Sequence, residues 1–237
     1  MAMNKPKVLF LHGFMGQPKE GLFLEEFGSL WAPDLLELSL DSDECMKAFY
    51  KAIEDYNPSL LYGYSLGGRI ALNFLDLNPE YKGEVVIESA SLPLTDPAEK
   101  ENRSIVDHQR SREIREDYPL FLENWYQAPL WGELSVVERD ILKEEKLERF
   151  KSKEDLEALA NFLLFFSPAH FPKESYSIKQ TLIYLYGEQD LKYKNLGEFY
   201  QSSHPHWTIH EVAKAGHNIH SLKETQLLEY IRSFLSR

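Results

Sequence analysis

The 237 residues exceed the usual length of one domain, although single α/β domains reach this size, and 43% apolar with 13% aromatic content is enough for a sizeable core. A formal charge of -12 excludes a general affinity for nucleic acid, so an anionic ligand would need a local cluster of arginine or lysine. Cys45 is the only cysteine, which excludes an intrachain disulfide, a zinc knuckle and a paired-cysteine redox motif.

Met1 to Lys7 carries no apolar stretch of the secretion-signal kind, and no apolar run approaches the roughly 18 residues of a membrane span. The expected location is therefore the cytoplasm, with no membrane partner. Nothing in the chain specifies an oligomeric state.

Val8-Leu9-Phe10-Leu11, between Pro6 and Gly13, predicts a strand buried on both faces. Leu30 to Pro33 reads as a second short strand, and Met46, Phe49, Tyr50 and Ile53 give 43–56 helical spacing, stopped by Asn57-Pro58. Ser59 to Tyr62 is the next strand and 66–77 the next helix; Val85-Val86-Ile87 is a further buried strand. From 93 to 176 the sequence turns charged and helical, with helices expected near 99–115, 120–126, 135–150 and 155–166. Strand character returns at 181–186 and near 207–212, and Leu227, Leu228, Ile231, Phe234 and Leu235 mark a last amphipathic helix. The reading is an α/β core formed by 1–92 and 177–237, a mostly parallel doubly wound sheet, with 93–176 inserted as a helical cap.

Gly63-Tyr64-Ser65-Leu66-Gly67 stands between a strand and a helix, the context of a nucleophile elbow. A serine hydroxyl needs a base, and the base needs an orienting carboxylate. His217, in Ala215-Gly216-His217-Asn218, and Asp190, just past the preceding strand in Gly187-Glu188-Gln189-Asp190, supply them in the order Ser, Asp, His of the α/β-hydrolases. His217 is preferred to His220, which begins a helix, and Glu88 at the end of its strand is the alternative acid. The backbone N–H groups of Leu66, after the nucleophile, and Phe14, in the His12-Gly13-Phe14 turn, are the candidate oxyanion donors.

Together with Asn124-Trp125-Tyr126, Arg69 after the elbow and Lys192 in the acid loop, these motifs resemble 2-succinyl-6-hydroxy-2,4-cyclohexadiene-1-carboxylate synthase of menaquinone biosynthesis, along nearly the whole chain. The resemblance implies an α/β-hydrolase fold and elimination of pyruvate from 2-succinyl-5-enolpyruvyl-6-hydroxy-3-cyclohexene-1-carboxylate, with no metal or organic cofactor. It further implies a small anionic carboxylate substrate held by Tyr64, Arg69, Arg103, Trp125 and Arg149. Arg110 and Arg112 compete with Arg103 for its role, and Lys192 also fits as a surface residue. The alternative activity is hydrolysis of carboxylic esters or of carbon–carbon bonds by the same serine; a noncatalytic binding module is the third reading. The chain departs from the family where Ala32 to Glu37 replaces a Pro-Gly-His-Gly segment, and again across 147–166. The run Phe162 to Phe166 reads as a contact between cap and core in preference to a substrate wall.

Overall fold

A computed structural model describes residues 5–38, 40, 42–132, 134–171 and 176–237; Met1–Asn4, on which part of the leader reading fell, lie outside them. Six strands form one sheet: β1 (Lys7–Leu11), β2 (Ser29–Trp31), β3 (Leu60–Tyr64), β4 (Glu84–Glu88), β5 (Ile183–Gly187) and β6 (Thr208–Val212). Their order is β2-β1-β3-β4-β5-β6 and every neighbouring pair is parallel. Parallel strands need crossovers, and the helices that make them cover both faces, which is why the inner strands β1, β3, β4 and β5 are buried along nearly their whole length whereas the edge strands β2 and β6 are not.

The helices in chain order are α1 (Asp43–Tyr56), α2 (Leu66–Leu77), α3 (Pro97–Glu116), α4 (Tyr118–Gln127), α5 (Val136–Arg149), α6 (Lys153–Phe165), α7 (Leu191–Ser203), α8 (Ile219–Leu222) and α9 (Glu224–Leu235). A 3-10 stretch, Pro18–Phe27, follows β1. Two compact units result. One holds Met1–Leu35, Lys47–Ser91 and Ser177–Arg237; the other holds Leu36–Met46 and Leu92–Tyr176.

In the sheet unit, alternate strand residues share a face because side chains switch sides at each step. Val8 and Phe10, Leu60, Tyr62 and Tyr64, Val86, then Ile183 and Leu185 line one such face, and Leu227, Ile231 and Phe234 of α9 close over it. α2 is buried nearly all round, and its one deep polar side chain, Asn73, accepts from the Tyr50 hydroxyl.

α7 is absent from the sequence reading. Its buried positions are Tyr193, Gly197 and Tyr200, one narrow stripe, and a glycine at its centre lowers helix propensity. Gly197 is there for packing, since a Cβ would lie 2.2 Å from the Tyr186 ring.

In the helical unit, starts are chemically defined. Asp96 caps α3 through the amide of Glu99, and Asp117 caps α4 through that of Leu120. Ser135 with Glu138, and Ser152 with Asp155, form capping boxes at α5 and α6. The Phe162 and Phe166 rings meet at a tilt of 59° with centroids 4.7 Å apart, and Phe166 meets Phe171 at 4.9 Å. Among the described residues no helix is long and apolar enough to cross a membrane.

Candidate active site

Register brings the carboxyl ends of β3 and β4 level, Tyr64 pairing with Glu88, and β5 runs two residues further, from Leu185 opposite Glu88 to Gly187. Side chains just past these ends gather at one edge of the sheet, where ligands of open α/β sheets bind.

Ser65 sits between β3 and α2 at φ 50 and ψ -108, a strained conformation for a residue with a Cβ. The strain is held by bonds on either side: Ser65 N donates to Glu88 O at 2.9 Å and Arg69 N to Ser65 O at 3.1 Å. Gly67 lets α2 approach β1, because a Cβ there would lie 2.1 Å from the Leu11 carbonyl oxygen. Backbone cannot yield as a flexible side chain does, so Gly67→Ala is expected to destabilise the fold by about 3 kcal/mol, read as a lower denaturant midpoint at unchanged slope.

Ser65 Oγ stands 3.0 Å from His217 Nε2, and His217 Nδ1 stands 2.7 Å from Asp190 Oδ2. The carboxylate accepts, so Nδ1 carries the ring proton and Nε2 is left to accept from the serine. His217 and Asp190 are buried, at 2% and 3% exposure, whereas Ser65 is half-buried and accessible. Desolvation of the pair strengthens both bonds. Asp190 is also the N-cap of α7, its Oδ1 accepting from Tyr193 N at 3.3 Å, so one residue orients the imidazole and starts a helix. Gln189 N donates to Ala215 O at 2.9 Å and Lys214 N to Glu188 Oε2 at 2.8 Å, tying the acid loop to the histidine loop.

Leu66 is the first residue of α2, where an N–H has no partner within the helix and the helix dipole is positive. The His12-Gly13-Phe14 turn is braced by His12, which is 2% exposed. Its Nδ1–H donates to Gly13 O at 2.8 Å, and its Nε2 accepts from Leu35 N at 3.0 Å. This bracing role escaped the sequence reading, where a histidine before a glycine is only a turn signal. Tyr64 is buried with its ring against His217 and His220, at 5.4 and 4.7 Å, and against Gly13. Arg69 lies half-buried in the first turn of α2.

Glu88 does not address His217. Its carboxylate is fully buried and accepts from His220 Nδ1–H at 2.8 Å, from the Tyr62 hydroxyl, and from the amides of Ile219 and His220. Burial alone would push the His220 imidazolium down; the charge and hydrogen bond of Glu88, with Glu20 and Glu224 further off, raise it above its ordinary value. The folded protein therefore holds this proton more tightly than the unfolded chain. That contribution to stability is complete below the unfolded value of about 6.5 and is lost as pH rises through the folded one. The stability advantage of the parent protein over His220→Gln, measured by denaturant titration, is expected to shrink on going from about pH 6 to about pH 9. A pH-independent difference would contradict the pairing. His204 and His210, both pushed down by burial, are common to the two proteins and cancel in the difference.

The helical unit contains its own basic cluster. Arg103 Nε donates to Asp107 Oδ2 at 2.6 Å, and Arg110 Nη1 lies 3.5 Å from Asp107 Oδ1, with the Asp107 side chain fully buried. Arg110 also lies over the Trp125 ring, its Cζ 5.1 Å from the centroid. Burial, and then the charge of Arg103, push the Arg110 guanidinium below its ordinary value. Two guanidiniums share one carboxylate, which leaves the cluster one positive charge. Arg110 and Trp125 line the same recess on this unit. Arg112 is exposed, and Arg149 stacks on Phe150, 4.8 Å from the ring centroid. Among the described residues no three or more His, Cys, Asp or Glu side chains are grouped to hold a metal ion.

A parallel sheet with a strained serine after its third strand, and an acid and a histidine after the last two, is the architecture of the alpha/beta hydrolase family, to which the chain belongs: the family model matches residues 8–226. It is an enzyme of the lyase or hydrolase type. Within that family the chain is 25% identical over 254 residues to 2-succinyl-6-hydroxy-2,4-cyclohexadiene-1-carboxylate synthase of Yersinia pseudotuberculosis, covering 98% of this chain and 88% of that protein. It is 30% identical over 207 residues to Protein PHYLLO, chloroplastic, of Arabidopsis thaliana, covering 81% of this chain but only 12% of that much longer protein. Among solved structures, MenH from S. aureus superposes with a TM-score of 0.78 at 22% identity, covering 99% of this chain and 95% of that one. Epoxide hydrolase CorEH gives 0.70 at 13% identity, covering 98% and 92%. These superpositions show the shared fold.

Proposed function

We propose that the protein is a synthase that eliminates pyruvate from 2-succinyl-5-enolpyruvyl-6-hydroxy-3-cyclohexene-1-carboxylate in menaquinone biosynthesis. The reading is carried by the near end-to-end similarity to the Yersinia synthase, which a shared hydrolase core alone would not require. The relay supports it chemically. Ser65 Oγ, its own proton drawn by His217 Nε2, removes the ring proton on the carbon bearing the succinyl group, which is acidified by the adjacent ketone. Charge moves onto the ketone oxygen, where the Leu66 and Phe14 amides stabilise it. The electrons then return through the ring, shifting one double bond into a conjugated diene and breaking the carbon–oxygen bond to the enolpyruvyl group. His217 returns the proton, and enolpyruvate ketonises to pyruvate.

Asp190 stabilises the imidazolium formed on the way. The substrate's carboxylates account for local positive charge in an otherwise acidic chain. Arg103 with Arg110, Arg69 and Arg149 are the proposed carboxylate ligands, and Tyr64 and Trp125 the proposed walls.

The test is to add purified protein to the enolpyruvyl substrate and follow pyruvate, with a p-nitrophenyl ester in parallel. Pyruvate release at enzymatic rate is the expected result. Rapid ester turnover without pyruvate would replace the synthase reading by that of a serine hydrolase.

A further inference from the structure

Glu88 touches both halves of the relay although it belongs to neither. Its main-chain oxygen accepts from Ser65 N at 2.9 Å, the bond that holds the strained elbow. Its side-chain Oε1 accepts from Ile219 N at 2.6 Å and His220 N at 3.2 Å. Those amides open α8 and lie two and three residues past His217. The carboxylate thus grips the loop that presents the base, while the same residue's backbone grips the serine.

The grip is itself held. Oε2 receives the Tyr62 hydroxyl and His220 Nδ1–H, and the His220 ring stacks on Phe23 at 5.8 Å and meets the edges of Phe10 and Tyr64. Tyr64 in turn lies against His217. Glu88 and the His220 side chain are both at most 1% exposed, so no water competes for these bonds.

We propose that Glu88 is a positioning residue: by accepting the Ile219 and His220 amides it fixes the distance between Ser65 and His217. The inference rests on the Ser65–His217–Asp190 relay and is independent of the substrate. A buried carboxylate that served stability alone would be replaceable by apolar side chains of similar volume with no effect on the serine. A clamp would not.

The probe is a fluorophosphonate, whose capture reports the reactivity of Ser65 without any turnover of substrate. The triple variant Tyr62→Phe/Glu88→Met/His220→Phe removes every side-chain partner of the network and leaves the packing volume in place. It is expected to retain cooperative unfolding and to label roughly 10²-fold more slowly, since a misplacement of about 1 Å costs a relay that much. Labelling of the folded triple variant at the parent rate would overturn the proposal.

Glu88→Gln supplies an independent arm, because its amide oxygen still accepts the two N–H groups while its NH2 faces Tyr62 and His220. It is expected to label within about threefold of the parent; a loss as large as that expected of the triple variant would also overturn amide acceptance as the mechanism. Absence of labelling in the folded parent would defeat the relay reading and this proposal with it. Labelling without pyruvate release would defeat only the synthase assignment.

Discussion

Replacing Ser65 by alanine is expected to lower kcat for pyruvate release by about 10³- to 10⁴-fold, the upper part of the range supplied by one well-placed proton-transfer group. KM is expected to stay near that of the parent, because Ser65 carries no charge for the substrate's carboxylates and acts only as the transition state forms. Steady-state kinetics with a pyruvate assay would measure both. A loss below tenfold would remove the hydroxyl from the chemistry.

The backbone adds an independent expectation. With φ at 50, alanine is as strained as serine, whereas glycine is at ease. Ser65→Gly is therefore expected to be as inactive as Ser65→Ala but more stable by roughly 1 kcal/mol. Equal stabilities would show that the elbow stores no strain.

Asp190 should give the second largest loss, and two substitutions separate its two duties. Asparagine keeps the oxygen that caps α7 but presents an NH2 to His217 Nδ1, favouring the tautomer in which Nε2 carries the proton and cannot accept from serine. Asp190→Asn is expected to cost on the order of 10³- to 10⁴-fold in kcat with little change in stability. Asp190→Ala should cost as much activity and a further ~1 kcal/mol of stability, the loss of a helix cap. If Asp190→Asn kept most of its activity, the buried carboxylate would have to act on the helix alone.

Much of this was legible in sequence because parallel-sheet proteins write their elements in short, one-state signals. Unbroken apolar runs at Val8 to Leu11, at 60–62 and at 182–186 mark doubly covered strands, and a serine between two small glycines after such a run has few roles. His217 and Asp190 stood out for the same reason, each lying in a glycine-bearing loop after a strand signal. α7 lacked any such mark, as its narrow buried stripe and central glycine make sense only against the Tyr186 ring.

Charged residues were read least well. Arg103, Arg110, Arg112 and Arg149 look alike along the chain. Which of them shares Asp107, lies over Trp125, stacks on Phe150 or faces water is set by contacts between turns and helices that spacing leaves open. Glu88 could be weighed as an alternative acid only because strand ends are where acids of this fold reside.

By itself the sequence determined the periodicities, the turns and the order Ser, Asp, His, since these depend on neighbours a few residues apart. Tertiary structure alone decided that Glu88 meets His220 rather than His217, that His12 braces the Gly13 turn, and that residues 152 positions apart come to 3.0 Å. The reason is physical: a buried polar group must find its partner wherever packing brings one within hydrogen-bond reach, and that distance is not encoded in local spacing.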